Sequence, residues 1–192
     1  MSGELPWKGK AMGTSKSFPG YFFPDRNVET VRDVDYEELK NSGIRAVIFD
    51  LDNTLALWGE EELESEVLDL FEDLQSRGLK VAVLSNSKKK KIKDFVAELP
   101  FPHLFNAGKP KSCGFEKILD ELGVEAEETA MVGDQLFTDV LGANRMNMYT
   151  IQVEPLDPDQ EYKFTRINRL AESILLRFRD FYRFLVSLLE GK

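Results

Sequence analysis

The chain has 192 residues, 42% of them hydrophobic, enough to bury one sizeable core; its formal charge of −9 excludes a general nucleic-acid binder. One cysteine, Cys113, and one histidine, His103, exclude an internal disulfide and a His/Cys zinc site, so any metal has to be held by oxygens. No secretory-type apolar stretch follows Lys8, Lys10 and Lys16, and no uncharged run reaches the roughly 18 residues of a membrane span, so a protein of the cytoplasm or an organelle matrix, at most peripheral at a membrane, is expected.

Residues 1–17, rich in Gly, Ser and Lys, read as a mobile segment. "FPGYFFPD" (18–25), aromatic and interrupted by prolines, reads as an irregular stretch laid on the body. From there to residue 159 the pattern is regular. Apolar runs at 45–49, 80–84, 101–105, 129–132 and 148–153 predict strands, and most lack polar alternation, as strands covered on both faces do. Amphipathic stretches at 61–77, 88–98, 111–122 and 136–146 predict helices, with Gly78 and Gly123 as stop signals. Alternation of this kind implies an α/β fold with a doubly wound parallel sheet.

In such sheets ligands bind beyond the carboxyl ends of the strands. There the sequence places Asp50 and Asp52 after the first strand, Ser85 and Asn86 after the second, Lys109 after the third and Asp134 after the fourth. Strand alternation turns Asp50 and Asp52 to the same side and Leu51 to the other. Three carboxylates this close repel, which a hard divalent cation with oxygen ligands, Mg2+, would resolve. With Asp50 as nucleophile the product is an aspartyl-phosphate; Asp52 can protonate the leaving oxygen and later deprotonate water. Lys109 and the Ser85 hydroxyl would hold the phosphoryl oxygens where charge accumulates.

"DLDNT" (50–54), "SN" (85–86), "GKP" (108–110) and "GDQLFTDVLGANR" (133–145) resemble, in order and spacing, the four motifs of the haloacid dehalogenase superfamily of phosphatases. The stretch from about 44 to 170, with Trp58 and "TRINR" (165–169), is similar to its YqeG-type branch, whose relatives include phosphatidylglycerophosphate phosphatases. The resemblance implies Asp50 as nucleophile and Mg2+ ligand, and Asp52 as acid/base that also offers a backbone carbonyl to the metal. It implies Asp134 on the metal, Asp139 orienting water there, and a substrate phosphate held by Thr54, Ser85, Asn86 and Lys109. Gly108 stands where that branch has a basic residue. The expected activity is release of phosphate from phosphatidylglycerophosphate, with a soluble or protein phosphate, or an inactive membrane-associated scaffold, as alternatives.

"DLDNTLALWGEE" is a poor calcium loop, because Leu55 occupies the sixth position, where the turn wants Gly, and a strand precedes it. Short connections after "DLDNT" and "SN" leave no room for an inserted cap, so an open site suited to a lipid headgroup is expected. Lys88–Lys91 reads either as a solvated face or as an attraction for anions, and its place in a first helical turn calls for compensation. Cys113 and His103 read as packing residues. In residues 160–192, seven Lys/Arg face four Asp/Glu, and Phe164, Ile167, Leu170, Ile174, Phe178, Phe181, Leu185 and Leu188 form one helical stripe. This amphipathic helix would dock on the core, on a second copy in a homodimer, or on an anionic membrane surface.

Overall fold

The computed structural model describes residues 20–88 and 90–158, and all the elements below lie in a unit that ends at Leu156. The expectations for residues 1–17 and 160–192 fall outside the described residues. Six parallel strands form one sheet: β1 (Arg26–Val28), β2 (Ala46–Phe49), β3 (Lys80–Leu84), β4 (His103–Leu104), β5 (Thr129–Gly133) and β6 (Tyr149–Val153), in the order β1-β6-β5-β2-β3-β4. The helices are α1 (Tyr36–Asn41), α2 (Ser65–Ser76), α3 (Lys90–Ala97), α4 (Ser112–Leu122) and α5 (Leu141–Arg145). The expected doubly wound parallel sheet is the observed one.

Strand alternation divides the core in two. Val47, Phe49, Val81, Val83, Ala130 and Val132 pack with Leu39, Phe71, Leu74, Ile92 and Val96, from α1, α2 and α3, on one face. Ala46, Ile48, Ala82, Leu84 and Met131 pack with Phe115, Ile118, Leu122 and Ala143, from α4 and α5, on the other. Central β2 is buried at all four positions, which explains its unbroken apolar run.

Two stretches run against the sequence reading. The edge strand β1 and helix α1 come from residues 26–41, where no apolar run announces them. Polar contacts hold β1: the Asp25 carboxylate accepts from the Thr150 N–H (2.9 Å), and the Asp25 N–H donates to the Thr150 carbonyl (2.8 Å). Arg26 pairs with Glu38 of α1 at 2.7 Å, and the Asp35 side chain caps α1 by accepting the Glu38 N–H at 2.8 Å. The other departure is at 136–146, where a π-helical turn (Leu136–Val140) precedes α5. π-Helical turns recur at functional sites.

"FPGYFFPD" does lie on the body where it is described. Buried Asn144 of α5 donates to the carbonyls of Tyr21 (2.8 Å) and Phe23 (3.0 Å), while Phe22 meets Phe137 edge to face at 5.8 Å. No helix lies between β2 and α2, and five residues separate β3 from α3, so the described fold has no cap inserted at either place. Among the described residues no helix is long and apolar enough to cross a membrane.

Candidate active site

The loops leaving β2, β3, β4 and β5 meet at one sheet edge. Pairing outlasts β2 by one residue, since the Asp50 N–H still donates to the Val132 carbonyl (2.9 Å), and this holds Asp50 at the sheet's end. The chain then folds back: the Asn53 N–H reaches the Ala56 carbonyl (2.7 Å), the Leu55 N–H reaches the Leu51 carbonyl (3.0 Å), and Asn53 takes φ +68°. Asparagine tolerates that left-handed region better than most residues do.

Asp50, Asp134 and Asp139 each bring one carboxylate oxygen to within 4.8 Å of the others, and all three are buried. The Lys109 ammonium lies 2.5 Å from Asp50 Oδ1 and 2.7 Å from Asp139 Oδ1. Three carboxylates against one ammonium leave an ionised charge of −2 in a buried space, and the ligands on offer are hard oxygens. A divalent cation of the Mg2+ type fits that donor set in charge and in chemistry.

Burial pushes Asp50 up to about 7, with the Asp139 and Asp52 carboxylates adding to the effect and Lys109 opposing it. Burial also works against the charge on Lys109, but Asp139 and Asp50 together outweigh it and hold the ammonium above the ordinary lysine range. One lysine shared between two carboxylates can be fully balanced while each carboxylate is only half balanced. A pH dependence follows. The folded value of Asp50 exceeds its ordinary 3.8, so its contribution to stability is complete below that value and is lost as pH rises through about 7. Without metal, the protein should melt lower at about pH 8 than at about pH 6, and Asp50→Asn should shrink the gap. Calorimetry in chelator checks this; a gap unchanged in the variant would assign it elsewhere.

The remaining sequence-predicted residues take distinct places. The buried Thr54 hydroxyl accepts the Asp134 N–H at 3.1 Å and lies 3.4 Å from Asp134 Oδ1 and 3.5 Å from Asp50 Oδ2, tying the β2 loop to the β5 loop. Ser85 Oγ accepts the Ser87 N–H at 2.9 Å, which leaves its own proton as a donor. The Asn86 amide bonds the backbone of Lys109. Asp52 is half-buried, beside Ala56 in a short bridge, and its carboxylate is not part of the group of three. Lys91 forms an ion pair with Glu61, the compensation that the cations at the head of α3 called for.

Two positions, Gly133 and Gln152, escaped the sequence reading, and a third, Gly108, was noted there only as a departure. A Cβ at Gly133 would stand 2.4 Å from Asp139 Oδ2 and 2.8 Å from Asp139 Cβ, so the end of β5 has to be glycine for Asp139 to enter the cluster. Gly133→Ala should displace Asp139, cost about 1–3 kcal/mol in a urea titration, and lower phosphate release at least roughly tenfold; an unaltered rate would separate Asp139 from the chemistry. Gly108 adopts φ +75°, which accounts for glycine where a basic residue was expected. Gln152, with Thr150 one of two polar side chains in β6's run of Ile and Val, donates to the Asp134 carbonyl at 3.2 Å.

The family model for haloacid dehalogenase-like hydrolases matches residues 56–147. Over 156 residues the chain is 33% identical to "Probable phosphatase YqeG" of Bacillus subtilis (strain 168), covering 81% of this chain and 90% of that protein. It is 30% identical over 161 residues to the chloroplastic phosphatidylglycerophosphate phosphatase 1 of Chlamydomonas reinhardtii, covering 79% of this chain and 60% of the relative. It is also 30% identical over 166 residues to the chloroplastic/mitochondrial phosphatidylglycerophosphate phosphatase 1 of Arabidopsis thaliana, covering 82% and 48%. The chain thus spans between about half and two thirds of these last two proteins.

Proposed function

Because the chain belongs to the haloacid dehalogenase-like hydrolases and is a phosphoric monoester hydrolase of the YqeG type, we propose that it converts phosphatidylglycerophosphate to phosphatidylglycerol through an aspartyl-phosphate on Asp50. The observation that carries this reading is the buried cluster of Asp50, Asp134 and Asp139 with Lys109 at the mouth of a sheet without an inserted cap. An Asp50 carboxylate oxygen attacks phosphorus, and the bond from phosphorus to the ester oxygen breaks. Asp52, half-buried and therefore able to exchange protons with solvent, gives a proton to the departing alcohol oxygen. Asp52 then takes a proton from the water that attacks the aspartyl-phosphate, and the bond to Asp50 breaks to release inorganic phosphate.

Mg2+, held by Asp50, Asp134 and the Asp52 backbone carbonyl with Asp139 beside it, would supply the positive charge that draws phosphoryl oxygens toward Asp50. Lys109 and the Ser85 hydroxyl steady the same oxygens. The phosphatidylglycerophosphate assignment draws on the two organellar relatives and on the lack of a cap inserted after β2 or β3 in the described fold. Residues 160–192, on their sequence pattern alone, are assigned to contact with the anionic lipid surface, with homodimer contact as the alternative. A cytoplasmic or organelle-matrix location goes with this reading.

The test is free phosphate released from phosphatidylglycerophosphate in mixed micelles, against a panel of water-soluble phosphoesters and a phosphopeptide, with Mg2+ and with chelator. Mg2+-dependent release with the lipid preferred by at least roughly tenfold is expected. Preference for a soluble ester or the phosphopeptide would overturn the lipid assignment, and no release from any substrate would leave the inactive scaffold.

A further inference from the structure

We infer that Asn86 is the positioning residue for Lys109: its side-chain amide extends the pairing of β3 with β4 to the lysine backbone and fixes where the ammonium sits between Asp50 and Asp139. Backbone pairing continues past both strands, with the Ser85 N–H donating to the Leu104 carbonyl (2.9 Å) and the Ala107 N–H to the Ser85 carbonyl (3.0 Å). At the next step Asn86 Oδ1 accepts the Lys109 N–H at 2.8 Å, and Asn86 Nδ2 donates to the Lys109 carbonyl at 3.0 Å. A carboxamide carries one donor face and one acceptor face, as a peptide unit does, so a single side chain can hold both polar groups of one residue.

That residue needs holding. Gly108, just before it, sits at φ +75° with nothing within 4 Å of a would-be Cβ, so no side-chain packing fixes the approach to Lys109, and the turn there is held by the Lys111 N–H donating to the Gly108 carbonyl (3.0 Å), which leaves both polar groups of Lys109 to Asn86. At the other end of the side chain the ammonium must reach two oxygens 2.5 and 2.7 Å away, where a small swing loses one of them. Among asparagine, aspartate, alanine and glutamine, only asparagine makes both bonds of the brace. Aspartate keeps the acceptor for the Lys109 N–H but sets an oxygen against the Lys109 carbonyl, alanine keeps neither bond, and glutamine is one methylene too long.

The inference rests on the phosphatase reading for its kinetic consequence, but the brace is also read without turnover. In Asn86→Ala, hydrogen exchange at the Lys109 amide should quicken by at least roughly tenfold while the Val83 and Val132 amides keep their protection. Asn86→Asp should restore protection at Lys109 and only part of the rate. With p-nitrophenyl phosphate and Mg2+, Asn86→Ala should lower kcat by about 10–100-fold and move KM by less than about threefold. In a Lys109→Met background the same change should cost less than about threefold, because there is no ammonium left to place. An equal loss in both backgrounds would mean that Asn86 acts on the substrate directly, and an unchanged Lys109 exchange rate would refute the brace. If Lys109→Met does not fold, the exchange measurement decides alone; if the wild type releases no phosphate, the phosphatase reading falls and the exchange result still stands or fails by itself.

Discussion

Asp50→Asn should lower phosphate release by roughly 10^4-fold or more, at every pH and with every substrate, while the protein still folds. The amide is nearly isosteric but is a far weaker nucleophile, so the covalent step has no substitute. Nor can Asp139 or Asp134 take over. Asp139 Oδ2 accepts the Gln135 N–H at 3.1 Å, and the Asp134 backbone is tied to Thr54 and Gln152, so neither carboxylate can advance to the place Asp50 holds at the end of β2. Folding survives because the substitution removes one of three buried like charges and leaves Lys109 its bond to Asp139. Phosphate release by molybdate assay, with circular dichroism of the same sample, checks both halves. A folded variant that retains more than about a hundredth of the wild-type rate would mean that attack on phosphorus does not come from Asp50.

The expected loss also marks what could be read from the chain alone. Asp50, Asp134 and Lys109 were legible because each comes after an apolar run, and a parallel sheet delivers the ends of such runs to one edge; Asp139, inside the π-helical turn, was marked only by the motif resemblance. Strand β1 was not legible. Three residues, Arg26–Val28, have no periodicity to read, and their pairing depends on Asp25 meeting Thr150 and on Asn144 holding Tyr21 and Phe23, contacts that span more than a hundred residues. Thr54 and Asn86 show a subtler gap: the motifs marked them as facing a phosphate, but which backbone groups they bond depends on how far each loop rises above the sheet edge, and spacing does not encode that. Gly133 is similar. A glycine before an aspartate reads as a turn, and only the 2.4 Å approach of Asp139 shows that the missing side chain is the space Asp139 needs.

Lys109→Met should be the most destabilising single change at the site, costing about 3–5 kcal/mol in chelator, because it leaves three buried carboxylates without their ammonium. Methionine matches the length of the lysine stem, so packing is nearly preserved and the loss reports charge. Asp50, whose carboxyl burial already pushes up, can relieve the repulsion by taking up a proton, so the deficit should be smaller in acid and grow as pH rises. Mg2+ should restore much of the stability of the variant, since a divalent ion balances carboxylates whether or not the ammonium is present. It should not restore the rate. On the proposed mechanism the ammonium acts on charge that builds up on the phosphoryl oxygens, and losing one such contact in a water-poor site costs about 10^2–10^3-fold in kcat. Lys109→Arg should recover charge without recovering rate, because a planar guanidinium cannot place one nitrogen within reach of Oδ1 of both Asp50 and Asp139 where the compact ammonium now sits. Urea midpoints in chelator and in Mg2+, set beside kcat for the three proteins, separate the two roles of the lysine. A Met variant as stable as wild type in chelator would show that the carboxylates do not depend on it.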